Sequence, residues 1–359
     1  MDEDWKKNIP TPALVLNYDV MQKNIETMAK FAKENNVNHR PHVKTHKCPI
    51  IGHLQLKAGC KGITVAKVGE AEVFAQCGFD DIFIANQVID PTHMDRLVKL
   101  SKYIKIRCAV DSKKNILELN RIALKNNATV EVFLDVNLGL GRSGVEPGDF
   151  ALEMANFIKK TEKLDLKGLF GYEGHLTPMK NLEQKESMAN ECYKKIVDTR
   201  DLLNENGFNI NEISTSGSGT YMYAAKYDGI TEIRPGTYIF SDEHLHMTNP
   251  DFDYAVTILG TIQNQTAKKE FTVDAGSKAI ATGDGKPVFK DFPKSKIRVM
   301  NEEHTQFKAL GAGNLEIGQK IEFIPAHICT SINLYDYIHV VKDNEYIGRW
   351  EILARGKSY

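Results

Sequence analysis

The stretch VNHRPHVKTHK, residues 37–47, starts as an apolar strand and ends in a knot of ionisable side chains: Arg40, His42, Lys44, His46 and Lys47 fall within eight positions. A strand that finishes in reactive chemistry is what an α/β barrel displays, because its active site is assembled where the strands end. If 37–43 is a first barrel strand, seven more should follow, each separated by a helix.

They do follow. Short β-branched runs recur at GITVA (62–66), DIFIAN (81–86), IKIRCAV (104–110), TVEVFLDV (129–136), LKGLFGY (166–172), NEIST (211–215) and TEIRPGTY (231–238). Between them lie helix-patterned segments such as GEAEVFAQCGF (69–79), NILELNRIALKNN (115–127), FALEMANFIKK (150–160) and ESMANECYKKIVDTRDLLNENG (186–207). Strand–helix alternation predicts parallel strands with crossover helices, and eight such units predict a (β/α)8 TIM barrel. A doubly wound sheet is the rival, but no GxGxxG follows the first strand. After about residue 243 the texture changes to strands and turns, among them YAVTILGTIQNQ, KEFTVDAG, QKIEFIPAHI, YDYIHVVKD and YIGRWEILARG. The expected organisation is an α/β barrel over 20–243 and a mostly β domain over 244–359. The segment 1–19 carries a strand, TPALVLNY (11–18), expected to pair with the β domain.

Composition sets limits on function. The chain has 359 residues and a net charge of −1, with 42% apolar and 26% charged residues. A near-neutral chain gives no electrostatic argument for nucleic acid or a membrane surface as partner. The opening MDEDWKKNIP is polar and no run of about 18 apolar residues occurs, so the cytoplasm is the expected compartment. Six cysteines without CxxC pairs read as reduced thiols.

The strand ends carry the chemistry. Lys44 follows strand 1, and NLGLGRSG after strand 5 carries Arg142. GYEGH after strand 6 gives Tyr172, Glu173 and His175. STSGSGT (214–220), with Ser218, Gly219 and Thr220, follows strand 7; RPGTY (234–238), with Gly236 and Thr237, closes strand 8. Barrel enzymes often hold a phosphate after strands 7 and 8. A phosphate site and a lysine amine together suit pyridoxal phosphate, an aldehyde with a phosphate handle. Arg142 would then meet the phenolic oxygen and Tyr172 the ring nitrogen. Taken singly, each feature has a plainer reading: a surface lysine, a capping arginine, a core tyrosine, a Gly-Ser loop.

Together, TPALVL (11–16), RPHVKTHK (40–47), LDVNLGLGRSGV (134–145), GYEGH (171–175), RPGTYIFSD (234–242), VDAGSKA (273–279), EEH (302–304), HICTSINLYD (327–336) and WEILARG (350–356) resemble the fold-type III pyridoxal-phosphate enzymes. The branch is that of D-threonine aldolase, D-serine dehydratase and D-3-hydroxyaspartate lyases. The resemblance implies that Lys44 carries the cofactor, that a homodimer shares its active sites, and that His327 and Cys329 hold a divalent metal near a β-hydroxyl of a D-amino acid substrate. On a predicted strand, His327 and Cys329 at i and i+2 share one face. Imidazole with thiolate favours zinc, with manganese or magnesium as alternatives. The expected reaction is retro-aldol cleavage to glycine and an aldehyde, with His175 as base. D-Serine dehydratase, D-3-hydroxyaspartate lyase and, more remotely, alanine racemase are the alternatives. Asp274, Lys278, Glu303 and His304 match family motifs without an assigned role, and Thr305 stands where the family has Gly.

Overall fold

The structure is a computed structural model in which residues 4–359 are described; residues 1–3 of the expected segment 1–19 lie outside them. In chain order the first elements are β1 (Ala13–Asn17), α1 (Tyr18–Glu34), β2 (Asn38–His39) and α2 (Pro49–Lys57). Next come β3 (Ile63–Val65), α3 (Val68–Gln76), β4 (Asp81–Gln87), α4 (Pro91–Leu100), β5 (Lys105–Val110) and α5 (Lys113–Lys125). Then follow β6 (Val130–Val136), α6 (Asp149–Lys159), β7 (Leu164–Gly171), α7 (Leu182–Glu205), β8 (Glu212–Thr215), α8 (Tyr221–Ala224), β9 (Glu232–Ile233) and α9 (Glu243–His246). The remainder is β10 (Val256–Ala267), β11 (Glu270–Val273), β12 (Val288–Phe289), β13 (Lys296–Met300), β14 (Thr305–Lys308), β15 (Lys320–Ile324), α10 (Ile328–Ile332), β16 (Tyr337–Lys342) and β17 (Glu345–Glu351).

Internal contacts divide the chain into two units. One comprises Met28–Lys44, Ile51–Gly236 and Gly356–Tyr359; the other comprises Met1–Thr27, Thr45–Ile50 and Thr237–Arg355.

The first unit holds eight parallel strands in the order β2-β9-β8-β7-β6-β5-β4-β3. The ring closes between β2 and β3 through a single parallel bridge, His42 to Thr64, helped by Lys61 N–H donating to the His39 carbonyl (2.9 Å) and Thr64 N–H to that of Pro41 (2.8 Å). The α/β barrel expected from the alternation is therefore present, with its first and last strands far shorter than predicted. The first is two residues, not seven, because Pro41 has no N–H to give and the chain turns into a one-turn 3-10 helix at Val43–Thr45. The last, β9, likewise stops before Pro235. Phe83, Phe133 and Phe170 form an aromatic layer inside the ring with centroids 4.9 and 5.5 Å apart. Arg234 stacks on Phe170 at 4.1 Å and Arg107 on Phe133 at 5.4 Å, so a cation sits against this layer at each of two rings.

The second unit is a nine-stranded, mainly antiparallel sheet, β13-β14-β11-β10-β1-β16-β17, with β15 on β10 and β12 on β15. β1 lies between β10 (antiparallel) and β16 (parallel). Strands β12, β13 and β14 escaped the sequence reading. β12 is two residues long, and β13 and β14 alternate lysine, arginine and glutamine with isolated apolar residues instead of presenting an apolar run.

Candidate active site

The charge knot at 40–47 comes apart on folding. Arg40 is fully buried and turns toward the strand starts: its Nε donates to Glu232 Oε2 (2.9 Å) and its Nη1 to Asp81 Oδ1 (2.6 Å). Of these side chains, Lys44 is the exposed one in the turn that follows β2. His42 lies between them in sequence. Burial, then the neighbouring cations Lys44, Arg234 and Arg142, hold its imidazole well below its usual pKa and hence neutral. His46 is buried in the other unit against Phe240, accepting from Cys48 N–H, which is a packing role.

Arg142 rides on the glycine-rich loop after β6. Asn137 Oδ1 collects the N–H groups of Gly139 and Gly141 (3.0 and 3.1 Å), Asp111 takes that of Gly144 (3.1 Å), and Ser143 Oγ donates to Asp135 (2.8 Å). The Arg142 guanidinium lies 5.6 Å from the Tyr172 ring, and both line a small pocket with Asp135, Asn137, Ser143 and Phe170. His175 reaches the same loop: a Cβ on Gly139 would meet its ring at 3.2 Å, and its Nδ1 is buried without a partner.

The turn after β8 offers a cradle. A Cβ on Gly217 would lie 3.1 Å from the Tyr172 ring, so glycine keeps open the space beside that ring. Ser216 has φ +67° and a buried hydroxyl with no partner among the described residues. Ser218 Oγ accepts from Gly236 N–H (3.1 Å), joining the turns after β8 and β9. Open glycine backbone, a spare hydroxyl proton, a nearby arginine and an exposed lysine fit an anionic, aldehyde-bearing cofactor such as pyridoxal phosphate. Sequence reasoning missed Arg234. Its Nη2 donates to the Gly171 carbonyl (2.7 Å), its Nε is buried without a partner, and burial lowers its pKa to about 10.

In the second unit His327 and Cys329 do come together, though not on a strand. β15 ends at Ile324 before Pro325, His327 is the extended residue that begins α10, and Cys329 lies within that short helix. What fixes the pair is Asp242, whose Oδ2 accepts from His327 Nδ1 (2.8 Å) and from Ile328 N–H (3.2 Å). Burial opposes the imidazolium, but Cys329 and Asp242 outweigh it and raise the His327 pKa to about 11. Hydroxyls of Thr45 (3.3 Å) and Thr237 (3.7 Å) flank the Cys329 sulfur, so Thr237 stands beside the thiol. An imidazole oriented by a carboxylate, next to a thiol, has the donor chemistry of a zinc-type site. No cluster of three or more His, Cys, Asp or Glu side chains suited to a metal occurs among the described residues. None of the six cysteines forms a disulfide.

The residues left without a role have structural ones. Asp274 accepts from Thr11 Oγ1 (2.6 Å) and Thr261 N–H (2.7 Å). Lys278 pairs with Glu302 and Glu303 on the surface, and Thr305 donates its hydroxyl to the Ala275 carbonyl. Among the described residues no helix is long and apolar enough to cross a membrane.

Residues 255–341 match the putative serine dehydratase domain. A D-threonine aldolase from Arthrobacter sp is 29% identical over 98% of this chain and 94% of its own length. A 3-hydroxy-D-aspartate aldolase from Paracoccus denitrificans (strain Pd 1222) is 28% identical over 100% and 95%. The crystal structure of D-threonine aldolase from Filomicrobium marinum superposes with a TM-score of 0.95 at 29% identity, covering 98% of this chain and 97% of that one. The model that spans the barrel, alanine racemase, N-terminal domain, matches residues 16–244, well over half of the sequence, and the chain belongs to that family.

Proposed function

We propose that this protein is a pyridoxal-phosphate-dependent lyase that cleaves β-hydroxy-D-amino acids to glycine and an aldehyde. The observation that carries the reading is the Asp242–His327–Cys329 cluster, a carboxylate-oriented imidazole beside a thiol, on a chain whose barrel also exposes Lys44. A racemase has no leaving group for such a cluster to act on.

Bound pyridoxal phosphate supplies an aldehyde for the Lys44 amine and an electron sink for charge left at Cα. Arg142 and Tyr172 orient its ring, and the turns bearing Ser218, Gly219, Thr220 and Gly236 receive its phosphate. His327 and Cys329 hold a divalent cation, zinc by donor type with manganese or magnesium as alternatives, which supplies Lewis-acid polarisation of a hydroxyl. Thr237 contributes beside Cys329. An imidazole nitrogen of His175 accepts the β-hydroxyl proton as the Cα–Cβ bond breaks. The working unit is a homodimer, as the fold-type III resemblance implies.

A dehydratase is the second reading, favoured by the serine dehydratase match at 255–341 and by sulfur in the metal pair. There Lys44 Nζ would take the α-proton and hydroxide would leave, giving a keto acid and ammonia. Incubation with D-threonine, D-serine and D-3-hydroxyaspartate, with product analysis before and after exhaustive chelation, tests both. Glycine from D-threonine, lost on chelation and restored by zinc, is expected. Keto acid from D-serine with no glycine from D-threonine would transfer the assignment to the dehydratase, and turnover indifferent to chelation would remove the metal. Light scattering of the purified protein checks the dimer.

A further inference from the structure

Glu173 follows Tyr172 directly and is fully buried, and the buried Arg234 guanidinium acts on it electrostatically without a direct ion pair among the described residues. Its carboxylate is held by hydroxyls alone: Thr220 Oγ1 (2.6 Å) and Tyr193 OH (2.9 Å) donate to Oε1, and Thr215 Oγ1 (3.0 Å) donates to Oε2. A buried carboxylate without a directly paired cation is expensive, and a purely packing need would be met by an apolar side chain at lower cost. Its donors are not random. Thr215 is the last residue of β8 and Thr220 precedes α8, so the two threonines bracket the turn 216–219. Tyr193, on α7, backs the same carboxylate.

A threonine hydroxyl has one proton. That of Thr220 goes to Glu173, while Thr220 Oγ1 accepts from Gly217 N–H (3.4 Å). Thr220, a phosphate ligand by its place in the sequence, therefore has no proton to offer an anion while Glu173 is ionised. We propose that Glu173 is the positioning residue of the anion-binding turn: by claiming the protons of Thr215 and Thr220 it fixes both ends of 216–219 and leaves the Gly219 N–H and the Ser216 hydroxyl to receive the phosphate. The inference rests on the reading of this turn as the cofactor's phosphate site.

Replacement by glutamine keeps the shape but adds an N–H₂ that must donate, which turns at least one threonine hydroxyl around. The test titrates the full-length protein, stripped of cofactor, with pyridoxal phosphate and with pyridoxal, following absorbance, for wild type, Glu173→Gln and Thr220→Val, with circular dichroism and thermal melting to verify folding. The expected result is a loss of about tenfold or more in pyridoxal phosphate affinity with pyridoxal affinity little changed, in both variants. Thr220→Ser, which keeps the hydroxyl, is expected to bind like wild type. Equal loss for both ligands would reduce Glu173 to a general structural residue and overturn the proposal, as would unchanged binding in the variants of a wild type that prefers the phosphorylated form. A wild type that binds the two ligands equally would overturn the phosphate assignment as well.

Discussion

Two buried side chains in the barrel unit set opposing pH dependences. Burial raises the Asp135 carboxyl to about 6, against the pull of hydrogen bonds from Ser143 and Gln87. The folded state thus holds its proton more tightly than the unfolded chain, whose value is 3.8, so its stabilisation is complete below that pH and is lost as pH rises through 6. His39 runs the other way: burial lowers it from 6.5 to about 4, so its stabilisation is present above pH 6.5 and is lost as pH falls through 4. Each shift corresponds to about 3 kcal/mol, so the two slopes largely offset one another in the same window. Asp135→Asn removes one of them. Urea denaturation in steps between pH 4 and 6.5 should show the variant gaining about 2 kcal/mol on wild type across that range. A constant difference would mean that Asp135 titrates normally.

At the scale of the element, the loop after β6 is built around glycine where no other residue fits. Gly144 has φ +93°, and a Cβ there would approach Asn137 N to 2.7 Å and Val136 C to 2.8 Å, both backbone atoms that cannot yield cheaply. Gly144→Ala is expected to cost about 2 kcal/mol or more and to weaken pyridoxal phosphate binding, because it displaces the mount of Arg142. Thermal melting and a cofactor titration check the two effects; native affinity would dissociate Arg142 from cofactor binding. The loop was legible in sequence as NLGLGRSG because its glycines are local. The His327–Cys329 pair was legible as a pair, but on the wrong scaffold: i, i+2 spacing suggested a strand, whereas Pro325 ends the strand and a turn brings the side chains together. Asp242, which orients that imidazole, and Glu173, which collects three hydroxyls, were quoted within motifs yet given no role. Their partners lie as far as 86 positions away, and no spacing rule reaches that distance.

For the molecule as a whole, the eightfold alternation of strand and helix was visible because crossover connections are local, while the assignment of charges to the two ends of the barrel was not. Arg40, beside Lys44 in sequence, belongs to a buried network with Glu232 and Asp81 at the strand starts. Arg40→Met removes the buried cation that bridges those carboxylates, leaving Asp81 to Arg107 and Glu232 to the Ser214 hydroxyl, and is expected to cost about 3 kcal/mol without changing cofactor affinity in the folded protein. Denaturant midpoints with an unchanged m-value, beside a pyridoxal phosphate titration, check this; weakened cofactor binding at native stability would return Arg40 to the site. The ring's closure also dictates an order of events. Asn38 pairs with Glu232, and His39 with Ile233, so the first barrel strand gains its ladder pairing only when the last one exists, its earlier contact with β3 being the single His42–Thr64 bridge and its flanking hydrogen bonds. During synthesis the segment bearing Lys44 emerges early and waits for nearly the entire barrel to follow. Contacts of such long sequence separation form late and slowly. The frame around Lys44 is thus completed late in folding, and a chain arrested before residue 233 lacks the β9 side of it.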